Sequence, residues 1–151
     1  MTHPPRVELY LRQSVPVLAH ERQRAVLERL RELEGAGLVA DLAVEPWPHR
    51  VVGDDERANP SLATVGQFDR WARAHDASVR PAFGAHAGYS GYTNQQYATT
   101  ILPVMCLAVY DDDGLAAVYP RSGPEGVLTV QDGLDRLAAA GSGRDQPHSV
   151  A

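Results

Sequence analysis

Residues 104–110, VMCLAVY, alternate between two apolar sets: Val104, Cys106 and Ala108 on one side, Met105, Leu107 and Val109 on the other. Successive side chains of a strand point to opposite faces. A strand of this composition has no face suited to water and belongs in the interior of a sheet. DDDG at 111–114 supplies a turn, and LAAVYP then pairs back as the second arm of a hairpin. The chain therefore carries a strand that is central and buried. Its 151 residues are one domain's worth, long enough for one sizeable core.

The rest of the pattern supplies the surrounding elements. VELYLR alternates, with Val7, Leu9 and Leu11 opposed to Glu8, Tyr10 and Arg12, and reads as a half-exposed strand. HERQRAVLERLRELE reads as a helix with Val26, Leu27, Leu30 and Leu33 on one stripe, ended by GAG at 35–37. LVADLAVEPW returns as a strand, stopped by Pro46 and Pro48 and placed at an edge by them. Asn59 before Pro60 starts a second helix whose apolar side holds Val65, Phe68, Ala72 and His75. SVRPAF is a short strand, and Thr129 is the N-cap of a last helix carrying Val130, Leu134 and Leu137. Gly141 ends that helix, which leaves a single domain over 5–140 and a disordered tail over 141–151. The order β-α-β-α-β-β-β-α predicts an α+β fold, a mixed sheet with helices on one face in a ferredoxin-like sandwich.

Composition removes several function classes. All 14 basic residues are arginine, so Schiff-base chemistry and a Walker-A lysine are excluded. The net charge of −5 gives no global attraction to nucleic acid or anionic membrane. A single cysteine excludes an internal disulfide and a multi-cysteine zinc site. No apolar run approaches the ~20 residues that span a bilayer, and MTHPPRVELY has no signal-peptide pattern. The expected location is the cytoplasm.

Few residues remain for chemistry. Cys106 lies in the doubly apolar strand with no activating charge nearby and reads as a core thiol. None of the six histidines sits in an HxH or HExxH pattern, so no metal site is expected, and no cofactor motif is present. His75 reads as a packed core histidine. The DDD run lacks calcium-loop spacing and reads as a turn. Two segments are candidate ligand sites. GYSGYTNQQY with His86 before it offers His86, Tyr89, Tyr92 and Asn94. It suits a binding loop, and suits better a long hairpin loop in which Gly88 and Gly91 supply unusual backbone angles. The loop into the first helix offers Arg12, Ser14 and His20 beside a helix N-terminus.

RVELYLR, HERQRAVLERLREL, FDRWARAHDASVRPAF, TTILPVMCLAVYDDDGLAAVYP and LTVQDGLDRL, in that order, resemble a small haloarchaeal family of "HTH domain-containing" proteins. The resemblance covers most of residues 6–138, and LPVMCLAVY and FDRWA are its most specific parts. The lysine-free composition agrees with such a source. The resemblance implies DNA binding and transcriptional control and carries over no catalytic residue. The residues themselves argue otherwise. A helix-turn-helix needs a helix before the recognition helix, and the 19 residues before His20 hold an alternating strand and three prolines. Glu21, Glu28 and Glu32 run down the helix side opposite the leucines, an acidic ridge that repels phosphate. No true helix-turn-helix is expected over 20–45.

The reading that results is a cytoplasmic, non-enzymatic α+β domain acting through protein association in a regulatory context. The alternatives are a DNA-binding regulator, and a small ligand-binding protein or enzyme using the 86–97 loop. With helices on one face only, strict alternation leaves Tyr10, Ala108, Tyr110, Ala117 and Tyr119 on the other. That face reads as the interface of a symmetric homodimer, unless Trp47, Trp71 or the tyrosine loop folds over it.

Overall fold

The computed structural model describes residues 3–53, 55–79, 82–89 and 96–145, with the backbone alone over 84–98 and 141–145. The elements run β1 (Arg6–Arg12), α1 (Val17–Gly35), β2 (Asp41–Trp47), β3 (Arg50–Val52), α2 (Pro60–Ala74), β4 (Gly84–Tyr89), β5 (Gln96–Ile101), β6 (Met105–Asp111), β7 (Gly114–Tyr119), β8 (Arg121–Gly123), β9 (Gly126–Leu128) and α3 (Val130–Asp145).

The main sheet has the order β2-β1-β6-β7. β1 and β2 are parallel, joined through α1, with Val7 opposite Leu42 and Leu9 opposite Val44. β6 runs antiparallel to β1, with Leu9 opposite Leu107, and makes a hairpin with β7. The class is α+β, a mixed sheet with helices packed on it, and the strand after Gly37 pairs with β1 as its pattern predicts. A three-stranded sheet, β3-β5-β4, and the small β8–β9 hairpin add to the expected order, while of the strand expected at SVRPAF the described residues show only a bridge from Ser78 to Ser122.

Local signals place the helices. α1 ends where Gly37, at φ 79°, lets its own N–H reach Glu34 O and the Leu38 N–H reach Leu33 O. Asn59 caps α2 by accepting from the N–H groups of Ser61 and Leu62 at 3.0 and 3.3 Å. Thr129 and Asp132 cap α3 reciprocally, Thr129 N–H donating to Asp132 Oδ2 at 2.7 Å and Asp132 N–H to Thr129 Oγ1 at 3.2 Å. α3 does not stop at Gly141 but continues to Asp145. Each glycine costs a helix only about 1 kcal/mol, so Gly141 and Gly143 are carried within it, and the rest of the expected tail, 146–151, lies outside the described residues. α1 begins at Val17, three residues before His20, because its first turn faces water and carries no amphipathic pattern.

Two cores lie on the two faces of the sheet. Val7, Leu9, Leu107 and Val109 meet Val26, Leu30 and Leu33 of α1 and Leu134 and Leu137 of α3. On the other face Cys106, Ala108 and Val118 meet Val65, Phe68 and Ala72 of α2, closed by Trp47, Phe83 and Leu102. α2 therefore departs from the one-face expectation, and the face assigned to a dimer is covered within one chain. Tyr10 stacks on Trp47 at 4.8 Å between ring centres and meets Phe68 edge-on at 5.7 Å. Trp47 and Phe68 both pack on Phe83. Ala108 is fully buried, and Tyr10 and Tyr110 are half-buried against the α2 core.

Ala117 and Tyr119 are not on that face at all. Val109 pairs with Ala117 but Tyr110 pairs with Leu115, so Ala116 is an extra residue on β7. Such a bulge inverts the parity of every residue beyond it. Tyr119 and Ala117 thus join the α1–α3 core, and Val118 turns to α2. The five residues therefore do not share one face of the sheet.

Candidate functional site

The carboxyl ends of β1 and β2, the N-terminus of α1 and the segment Leu102–Val104 meet at one end of the sheet. In parallel α/β units that end is where ligands collect. The segment is held from several sides. Arg12 N–H donates to Val104 O at 3.0 Å, Arg12 Nη1 to Leu102 O at 3.2 Å and Trp47 Nε1 to Pro103 O at 3.2 Å. Gln23, buried in α1, donates from Nε2 to Arg12 O at 3.1 Å and to Val104 O at 2.9 Å. One side chain thereby ties the helix, the loop and the strand entrance together.

Beside this knot runs an apolar groove of about 370 Å³, walled by Arg22 and Ala25 of α1, Pro103, Met105, Pro120 and Val130. Leu18 stands four and seven residues before Arg22 and Ala25, on the same helix side. It is 69% exposed, and Val17 beside it 73%. Both are large apolar side chains left in water.

The residues singled out from sequence do not assemble into a pocket. Arg12 spends its guanidinium on Leu102 O. Ser14 is exposed at φ 55°, and His20 is exposed in the second turn of α1. None of the three lines the groove. His86 and Tyr89 lie in β4, where only the backbone is described, and Tyr92 and Asn94 lie outside the described residues. β4 and β5 pair antiparallel, Ala87 opposite Ala98, and residues 90–95 between them lie outside the described residues.

His75 is no core histidine. It is exposed at the end of α2, stacked on Trp71 at 4.6 Å with Nδ1 on Trp71 O at 2.8 Å. Cys106 is fully buried, and burial pushes its thiol well above the usual range. In a β-α-β unit the loop entering the helix is where the C-x-x-C of a thioredoxin-like redox motif would stand. Here it reads Ser14-Val15-Pro16-Val17 and can exchange no disulfide. Among the described residues no three of His, Cys, Asp and Glu gather as metal ligands.

Sequence reading missed Gln23. Its signal is spacing: residues 23, 26, 30 and 33 are the buried stripe of α1, and a glutamine at its head has to find acceptors.

A family model described as a helix-turn-helix domain matches residues 1–142. The chain belongs to this helix-turn-helix domain family. No curated protein and no solved structure matches it. In this family member no two helices follow one another among the described residues: α1 lies between β1 and β2, α2 between β3 and β4, and α3 follows the β8–β9 hairpin. The exposed side of α1 mixes Glu21, Glu28 and Glu32 with Arg22, Arg24 and Arg31, and Arg29 is engaged by Asp135 at 2.7 Å. Among the described residues no helix is long and apolar enough to cross a membrane.

Proposed function

We propose that this chain is a non-enzymatic regulatory domain of the cytoplasm that acts by holding another polypeptide in the α1–α3 groove. The observation that carries this reading is the apolar groove with the exposed Leu18 on the same side of α1, at the end of the sheet where Gln23 ties helix, loop and strand together. An apolar side chain seated there would bury surface at about 25 cal/mol per Å². The family assignment supports a regulatory setting.

A photo-crosslinking side chain at Leu18, introduced in the native host, tests the reading, with the same group at the exposed Val127 as control. A discrete adduct from position 18 alone, lost when Ala25→Arg fills the groove, is the expected result. Two identical chains in that adduct would make the occupant a second copy, hence a homodimer. Equal adducts from both positions, or none, would refute the groove as the working surface.

The family's name supports a second reading, sequence-specific DNA binding. Fluorescence anisotropy with genomic duplexes at low and high salt scores it. Tight binding with a steep salt slope would replace the first reading.

A further inference from the structure

A second concavity, of about 400 Å³, lies between the end of α2 and the β8–β9 hairpin. Its volume falls in the range of small-molecule sites. Trp71, Ala77, Ala116, Pro124 and Leu128 make most of its wall, and Arg121 supplies a cation. Arg121 is held in place without an acid: Nη1 donates to Val118 O at 3.1 Å, and its guanidinium carbon lies 4.7 Å from the ring centre of Tyr119 and 5.4 Å from that of Trp71. No carboxylate pairs with it among the described residues. Glu125, which lines the same concavity, is bound instead to Arg136 at 2.9 Å. A planar fork fixed on two aromatic rings and used on one edge is prepared for bidentate contact with a carboxylate on the other.

We propose that this concavity is a binding site for a small organic carboxylate with a flat apolar body. The carboxylate pairs with the open edge of Arg121, and the body lies against Trp71, Pro124 and Leu128. In a regulatory domain such a site takes an effector, and it stands independently of the α1–α3 groove. His75, stacked on Trp71 at the rim, adds a further polar contact.

The test is a titration of the ¹⁵N-labelled chain with benzoate, with benzamide as the uncharged control. The two indole N–H signals separate the sites, because Trp47 donates to Pro103 O far from this concavity while Trp71 has no acceptor among the described residues. Benzoate should move Trp71, Arg121, Gly123 and Gly126 saturably and leave Trp47 in place, and benzamide should move none of the five signals. Loss of a charged hydrogen-bonding partner is worth about 1.4 kcal/mol or more, so Arg121→Gln should weaken benzoate at least about ten-fold. Glu125→Gln removes a negative charge from the wall and should tighten it, a gain that misfolding cannot imitate. An equal response to benzamide, shifts scattered over the surface, or Glu125→Gln binding no more tightly than the parent chain would each overturn the proposal.

Discussion

Replacing Gln23 by glutamate changes one atom and inverts the chemistry of the knot it makes. Gln23 Nε2 gives its two protons to Arg12 O and Val104 O at 3.1 and 2.9 Å. A carboxylate oxygen in that place would face two carbonyl oxygens with no proton between them. Each lost hydrogen bond is worth about 1 kcal/mol net, and leaving its acceptor unpaired in the interior adds about 1 kcal/mol or more. The variant should therefore lose about 3–4 kcal/mol at about pH 8, a large part of the ~5–15 kcal/mol of a typical domain. Protonation restores one donor and so about half the loss. The carboxyl of the variant thus takes up its proton at higher pH folded than unfolded. Its folded state binds more protons than its unfolded state from about pH 4.3 upward, so stability falls as pH rises through that window. Gln23→Leu loses both bonds without a charge and should be less stable than the parent by an amount that does not vary with pH. Urea unfolding followed by far-ultraviolet circular dichroism at about pH 5 and pH 8 measures all three chains. A Gln23→Glu chain as stable as the parent at about pH 8, or one with the same deficit at both pH values, would refute the role given to Gln23.

Three further outcomes follow from the packing. A Cβ at Gly133 would stand 2.6 Å from the buried ring of Tyr119, so Gly133→Ala should set a helix gain of about 1 kcal/mol against overpacking of about 1–3 kcal/mol and lose about 1 kcal/mol by urea unfolding; a stabilised variant would show that the ring swings aside freely. Cys106 should resist thiol reagents in the native chain and react once urea unfolds it, and rapid native labelling would contradict its burial. The Tyr110 phenol, pushed up to about 12 by burial first and then by the charge of Glu8, should ionise late in an ultraviolet titration and earlier in Glu8→Gln; because its folded value is raised, its contribution to stability is intact below about pH 10 and is lost between there and about pH 12.

Short-range chemistry made most elements legible. Asn59, Thr129 and Gly37 mark helix ends through side-chain or backbone geometry that depends on a few neighbours, and each does so in the structure. The strict alternation of VELYLR and VMCLAVY placed Val7, Leu9, Leu107 and Val109 together for the same reason. The second face was legible only as an alternative, through Trp47, because the rest of its cover is assembled from Phe68, Phe83 and Leu102, residues far apart in the chain that no local period connects. The parity of β7 failed at a single residue, Ala116, whose bulge leaves no mark in an apolar run. Of the candidate site, Arg12 was found for its charge and proved to be part of the support, while Leu18 was read into the loop before the first helix and Gln23 was passed over as an ordinary helix residue.

That bulge also bears on how the molecule avoids growing. An open sheet ends in two rows of main-chain groups that can recruit the sheet of a neighbour. At β2 the row is interrupted by Pro46, which has no N–H to offer, and is flanked by the exposed charges of Asp41 and Glu45. β7 has no charge and no proline between Gly114 and Tyr119, and on composition it is the sticky edge. The extra residue at Ala116 breaks the even spacing of its donors and acceptors and bends the strand, so a straight foreign strand finds no matching ladder. A deletion of Ala116 would restore that ladder, and with it a route from a discrete particle to a fibre.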